Sequence, residues 1–477
     1  MYTYQDFESD IKKGYPIAMC VDIAIGRHKS TNSYRVALDA DNYDAQRNTT
    51  ITKFVKKLFS NNGQWSVDEY ASNHKICSSF FRRLNTQRNT YSLGNGVSFE
   101  DSSIKDKLGK DFDTRLKEAG YYALIHGVSY LFWNVDHVHV YKETEFVPLY
   151  DEETGALRAG IRFWQIDQYK PMYAVLYEMD GFSKFRKASK DKGGNGEFVL
   201  IENKRAYRQM YAQAEAETEP EIVGEENYTS LPIIPLYGSR LKQSTLIGMK
   251  GSIDAYDLVR SGFANDMTDC SEIYWIVSNA GGMDDEDMGK FRQRLKVNHI
   301  ANVENSDDVS VTPYTQEIPY QARKEFLDQI RSGIYEDFGG LDVHTISAGS
   351  TNDHIEAGYQ PLDEQADDYE YEIIQTIQNL LNLIGIEEQT PLFNRNRISN
   401  QKEKTDMVIE CANYLDEETT LRHLPFITPD EVDDILERKK QDDYDAFSDD
   451  SEGNNSSNEE VSTNDGSKPN TADLGSE

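Results

Sequence analysis

The sequence predicts an α+β, mainly helical protein, and three features carry that class. Apolar residues recur every three or four positions through Gly251–Val277, Tyr320–Gly340 and His354–Ile384, the pattern of three long amphipathic helices. Between Tyr130 and Pro235, β-branched and aromatic runs alternate with turn residues, the pattern of strands. From Gln441 to Glu477 almost nothing is apolar, so this stretch cannot offset the entropy of ordering and is expected to be disordered. With 477 residues, 38% of them apolar, the chain has material for several packed units.

Charge narrows the function. The net charge is -33, and the acidic tail accounts for only part of it. A free nucleic-acid binder gains affinity by neutralising phosphates and shows a basic surface. This chain as a whole repels phosphate, so contact with nucleic acid is expected to be loose and non-adhesive. Four scattered cysteines (Cys20, Cys77, Cys270, Cys411) without CxxC pairing argue against a disulfide framework or zinc site and suit a reducing cytoplasm. The N-terminus is too acidic for a signal peptide. The most apolar stretch, Tyr121–Val135, is short and holds His126, Gly127 and Asn134, so no membrane span is expected.

Residues 1–60 read as loop with short helical pieces, helical from Tyr43 to Phe59, and mildly basic through Lys12, Lys13, Arg27, His28 and Lys29. Residues 66–91 read as one helix, with Ser66 and Glu69 as a capping box and Arg82, Arg83 and Arg88 as solvated charges. Ser92–Phe99 is a turn-rich connection without the lysine and context of a phosphate loop. Residues 107–129 form a helix in which His126 reads as a packed core histidine. Strands fill 130–175. His137 and His139 share a face there, but no further Cys or His is near and no metal site is assigned. Strands continue to 235, with Lys190–Gly196 as a hairpin loop and Ala214–Asn227 as an acidic mobile loop. Leu231–Ser239, with two prolines, reads as an edge segment.

In Gly251–Val277 the apolar stripe is Ile253, Tyr256, Val259, Phe263, Met267, Cys270, Tyr274 and Val277. Asp254, Asp257, Asp269 and Glu272 lie opposite, with Asp266 nearer the edge. Such a helix is roughly 40 Å long. A compact insertion follows: a loop at Asn279–Asp287, a helix at Glu286–Lys296, and strands around Val297–Val303 and Val309–Tyr314. Pro319 opens the second helix and Gly339-Gly340 ends it. Leu341–Asp353 is a loop, and the third helix is expected to kink at Pro361. Helices at Glu403–Tyr414, Glu417–Leu424 and Asp430–Lys440 precede the tail. No hydrolase, metalloprotease, P-loop or dinucleotide motif is present. The Asp284-Asp285-Glu286-Asp287 run lacks the spacing of a calcium loop. No cofactor, metal or catalytic residue is assigned.

Several stretches together resemble the portal proteins of tailed bacteriophages, the siphophage type common in Gram-positive hosts. They are YYALIHGVSYLFWNVD, LPIIPLYGS before IDAYDLVRSGFANDMTD, the apolar end Ile374–Ile384, FNRNRISNQKEK, and EETTLRHLPFITPDEVDDILERKK. The resemblance covers about residues 65–440. It implies a homo-oligomeric ring of about twelve copies at one capsid vertex. That ring is a conduit for double-stranded DNA during packaging and ejection. The terminase large subunit and head-completion or adaptor protein dock on it, with scaffolding and major capsid proteins as further partners. It implies a virion location, assembly in the host cytoplasm and no membrane.

By the same resemblance, 1–245 is an N-terminal wing, 246–278 the first stem helix, 279–319 the clip and 320–340 the second stem helix. Residues 341–353 are the tunnel loop, 354–392 a long kinked wing helix, 393–440 the crown and 441–477 the tail. Asp342, His344, Thr345, Ser347, Ser350, Thr351 and Asn352 would face DNA in the tunnel loop. Asp254, Asp257, Asp266, Asp269 and Glu272 are the candidate channel lining, and Asp284, Asp285, Glu286, Arg292 and Arg294 the candidate clip docking residues. The alternatives from other classes are an acidic soluble enzyme without a recognisable motif, and another virion protein of tail or baseplate.

Overall fold

Four helices open the chain where only short pieces were expected, and their caps explain them. α1 (Tyr4–Lys12) begins with a capping box of Thr3 and Asp6. α2 (Ile17–Lys29) follows Pro16, and α3 (Asn32–Asp44) is capped by Thr31, whose hydroxyl accepts from the Tyr34 N–H. Asn48 caps α4 (Thr49–Lys53). The computed structural model describes residues 1–59, 65–67, 72–101, 103–189, 196–211, 222–269, 274–278, 310–314, 320–343, 352–386, 389–397, 401–424, 432, 435–436 and 438–439. Residues 1–350 with 354–397 form one compact unit, and 351–353 with 398–477 the other.

The helix expected over 66–91 is much shorter. β1 (Lys57–Phe59) pairs with β2 (Trp65–Val67), so Ser66 sits in a strand and caps nothing. Residues 72–79 have no regular secondary structure, and α5 is Phe80–Leu93. β3 (Val97–Ser98), α6 (Ser103–Leu108) and α7 (Phe112–His126) follow. Gly127 ends α7 at φ 95, with Gln243 and Ser244 backbone too near for a side chain.

The strand region is as expected in kind. β4 (Val128–Asn134) and β5 (His137–Lys142) form a hairpin, then β6 (Phe146–Tyr150), β7 (Leu157–Trp164), β8 (Met172–Glu178), β9 (Gly181–Lys187) and β10 (Phe198–Arg205) form a five-stranded antiparallel meander. β11 (Arg208–Tyr211) pairs with β12 (Ile222–Glu226), so part of the expected acidic loop is strand. β13 (Ile233–Tyr237) joins β4 at the edge of the sheet β13-β4-β5, the place where Pro235 is tolerated.

α8 spans Leu246–Asp269. The predicted helix to Val277 is corrected here: Tyr274–Ser278 is β14, paired antiparallel with β15 (Ser310–Tyr314). The aromatic and β-branched run YWIVS suits a strand. The expected helix Glu286–Lys296 and strand Val297–Val303 lie outside the described residues. α9 (Tyr320–Phe338) ends at Gly339, φ 66, as its glycines predict. α10 (Asn352–Ile384) carries Pro361 inside it, and β16 (Leu392–Phe393) pairs with β3.

Burial assembles the first unit. Cys20, Val21, Ala24 and Ile25 of α2 pack on one face of the meander, against Val147, Leu149, Ile161, Ala174, Leu176 and Phe185. Its other face gives Phe146, Val175 and Tyr177 to the largest core. That core is completed by α7, β4 and the apolar end of α10, where Ile373, Ile377, Leu380 and Leu381 are buried. A third core joins Phe80, Phe81 and Leu84 to Leu246, Met249 and Ile253 of α8 and to Ile334, Tyr335 and Phe338 of α9. Each such side chain contributes about 1.5–3 kcal/mol. In the second unit, α11 (Gln401–Cys411) precedes α12 (Glu417–His423), which Asp416 caps by accepting from the Thr419 N–H at 3.1 Å. Most of the helix expected at Asp430–Lys440, and all of the tail, lie outside the described residues. Among the described residues no helix is long and apolar enough to cross a membrane.

Candidate channel-lining helix pair

α8 and α9 pack antiparallel. The start of α8 shares the third core with the end of α9, while Phe263 and Asp266 near the end of α8 meet Tyr320 and Arg323 at the start of α9. Ser244 Oγ donates to the Ile125 carbonyl of α7, and Thr245 donates to Asn85 of α5, so the base of α8 is fastened to neighbouring helices.

The polar face of α8 grips its own subunit. Asp257 is 0% exposed. Its carboxylate accepts from Asn48 Nδ2 and from the Ser78 N–H, each at 2.9 Å. Ser261 Oγ accepts from the Ile76 N–H at 3.0 Å, and Asn265 Oδ1 from the His74 N–H at 2.6 Å. Alternate backbone amides of the extended segment thus meet every fourth residue of the helix. Two extended residues advance about 6.6 Å and four helical residues about 6.0 Å, so the two series nearly match. Burial pushes the Asp257 carboxyl above its ordinary range, while the bonds from Asn48 and Ser78 act against that shift. Asp254 accepts from the Tyr43 and Thr50 hydroxyls.

At the expected channel-lining positions of α8, the described side chains are engaged within the chain. Asp257 has no face toward an open space, and Asp254 is tied to α3 and α4. Asp266 pairs with Arg323 of α9. Asp269 closes α8, its side chain outside the described residues, as is Glu272. At the expected tunnel loop, both Asp342 oxygens accept from Arg331 at 2.8 Å. Gln87 bonds both the N–H and the C=O of Leu341, each at 3.0 Å. Asn352 opens α10; His344, Thr345, Ser347, Ser350 and Thr351 lie outside the described residues. So do Asp284, Asp285, Glu286, Arg292 and Arg294.

A stripe on α9 was missed. Gln321, Lys324, Glu325, Asp328, Ser332 and Glu336 are all exposed, on the side opposite Ile330 and Ile334. Its signal was present: it is the complement of the apolar face read from the sequence. The hairpin also leaves Leu258, Met267, Tyr320 and Phe326 between 46% and 56% exposed. A groove lined by Val259, Gly262, Ala322 and Phe326 runs between the two helices. Among the described residues, no three His, Cys, Asp or Glu side chains converge as a metal site.

The sequence and the structure were compared with known proteins. The portal protein of Clostridium phage phiCD119 is 29% identical over 227 residues, 46% of this chain and 49% of that protein, so the chain matches about half the length of that relative. The portal protein of Bacillus phage SPP1 is 22% identical over 424 residues, 79% of this chain and 78% of that protein. Among solved structures, a chain from the neck of a native gene transfer agent particle is 10% identical, covering 73% of this chain and 88% of that one with a TM-score of 0.42. The family model "Phage portal protein, SPP1 Gp6-like" matches residues 28–445, most of the sequence, and the chain belongs to that family.

Proposed function

We propose that about twelve copies of this chain close into a ring at one capsid vertex, a passive conduit through which double-stranded DNA is packaged and ejected. The observation that carries this reading is the family match over residues 28–445. The apolar surface of the α8–α9 hairpin supports it. Leu258, Met267, Tyr320 and Phe326 are large side chains to leave in water, and a ring that repeats one heterologous interface would cover them.

The exposed stripe of α9, rather than the polar stripe of α8, is the side that meets DNA in this reading. It holds three acids and one lysine. Such a wall centres a polyanion by repulsion over about 8–10 Å without gripping it. Residues 1–245 with 354–392 act as the wing, 279–319 as the clip, 341–353 as the tunnel loop and 393–440 as the crown. Terminase and the head-completion protein dock on the clip, scaffolding and major capsid proteins surround the ring, and no catalytic step is assigned. Native mass measurement and electron microscopy of the purified chain test this. A closed ring of about twelve subunits with a central hole is expected; a chain that stays monomeric under all assembly conditions overturns the reading.

A further inference from the structure

The tip of the β4–β5 hairpin carries a cluster that a DNA conduit does not use. β4 ends at Asn134 and β5 begins at His137, so Val135 and Asp136 alone turn the chain. Tight two-residue turns with positive φ at the first central residue favour Gly there. Val135 occupies that conformation at φ 62, which costs a β-branched residue on the order of 1–2 kcal/mol. The Val135 N–H donates to the Tyr228 hydroxyl at 3.0 Å, which holds the turn in place.

The strained turn sets Asp136 against His137. Asp136 Oδ1 lies 2.6 Å from His137 Nδ1, so the imidazole proton is held on Nδ1 and the Nε2 lone pair points away. That Nε2 faces His139 Nε2, on the same face of β5, at 3.1 Å. The His139 ring is stacked on Phe132 at 6.2 Å between centroids and 10° between planes, which fixes its direction. The Asn134 amide nitrogen stands 3.5 Å from the same His139 Nε2.

We propose that His137 and His139 chelate one divalent transition-metal ion, with Asp136 as the outer carboxylate and water completing the shell. Metal–imidazole bonds are about 2.0–2.1 Å, so two ligand nitrogens stand about 2.9 Å apart at a right angle and about 3.3 Å apart in a tetrahedron. The separation of 3.1 Å falls between these limits. Without an ion, His139 donates its Nε2–H across the gap to His137; an incoming ion takes both Nε2 lone pairs while that proton moves through solvent to His139 Nδ1. Imidazole pairs select Zn²⁺, Ni²⁺ or Cu²⁺, whereas Mg²⁺ and Ca²⁺ want oxygen. A carboxylate on the far nitrogen of a ligating histidine raises its basicity and fixes its ring. Arg162 and Arg115 act on His139 from nearby and oppose a cation, so the site is an exchangeable one. The His137 side chain is 46% exposed, which gives the ion a path.

The full chain, free of affinity-tag histidines, is dialysed against Zn²⁺ or Cu²⁺ and the bound metal counted. One ion per chain is expected, with two imidazole nitrogens in the Cu²⁺ electron paramagnetic resonance spectrum. His137→Gln and His139→Gln each abolish it, Asp136→Asn weakens binding about 10–100-fold, and His74→Gln leaves it unchanged. His137→Gln replaces a half-exposed side chain, and an unchanged metal-free melting curve confirms that it folds. Equal metal binding by the wild type and His137→Gln, or a spectrum without paired imidazoles, overturns the proposal.

Discussion

α8 and α9 lie side by side, yet their polar faces have opposite surroundings. Along α8, Asp257, Ser261 and Asn265 each receive a backbone N–H from residues 74–78 of the same chain. Along α9, the stripe from Gln321 to Glu336 stands in solvent. An amphipathic pattern tells which side of a helix is polar; it does not tell whether that side is wet. Counting acids points to α8 as the channel wall; the proposed reading gives that role to α9, whose polar side is the exposed one.

The contrast can be broken at three points. The largest effect is expected from Asp257→Ala. It leaves the Ser78 N–H and the Asn48 amide without an acceptor in a buried place, and the cost is about 3 kcal/mol of unfolding free energy. A urea titration measures it, and a loss below about 1 kcal/mol would mean that this carboxylate does not anchor the segment. Ser261→Ala is expected to cost about 1 kcal/mol, because it removes one neutral acceptor from a partly buried amide. Hydrogen exchange at Ile76 should accelerate in that variant, and unchanged protection would remove Ser261 from the clamp. The smallest effect on stability belongs to α9. Glu325→Lys with Asp328→Lys should leave unfolding within about 0.5 kcal/mol while making the ring retain DNA in a gel-shift assay. A larger loss of stability, or no gain in retention, would sink the claim that this stripe is the DNA-facing side.

Much of this architecture was legible because local signals agreed with it. α9 showed its apolar period and its glycine stop, and α10 its apolar end. The strands declared themselves by composition, and Pro235 marked an edge. His126 is buried and stacked on Tyr122, as a core histidine should be. The failures share one cause, partners far away in sequence. Residues 72–79 had enough period to pass for helix, but their amides bond a helix more than 170 positions later. YWIVS kept the phase of α8 and also the composition of a strand, and pairing with Ser310–Tyr314 decided between them. Arg88 read as a solvated charge; it is 5% exposed, over the Phe338 ring at 4.2 Å and donating to the Phe338 carbonyl at 2.9 Å. The shared face of His137 and His139 was visible, whereas the turn that brings Asp136 to them was not.

The grip of α8 on residues 74–78 also has a natural length. Its two scales have unequal divisions, about 6.6 Å on the extended side and about 6.0 Å on the helical side. They behave as a vernier, coinciding over a short span and then drifting apart. Each rung adds about 0.6 Å of offset, and five rungs add about 3 Å, the length of a whole hydrogen bond. A clamp of this design therefore works over three or four rungs and fails beyond them. The segment itself ends there: Phe80 opens α5, and Phe80 and Ile253 are both buried in the third core.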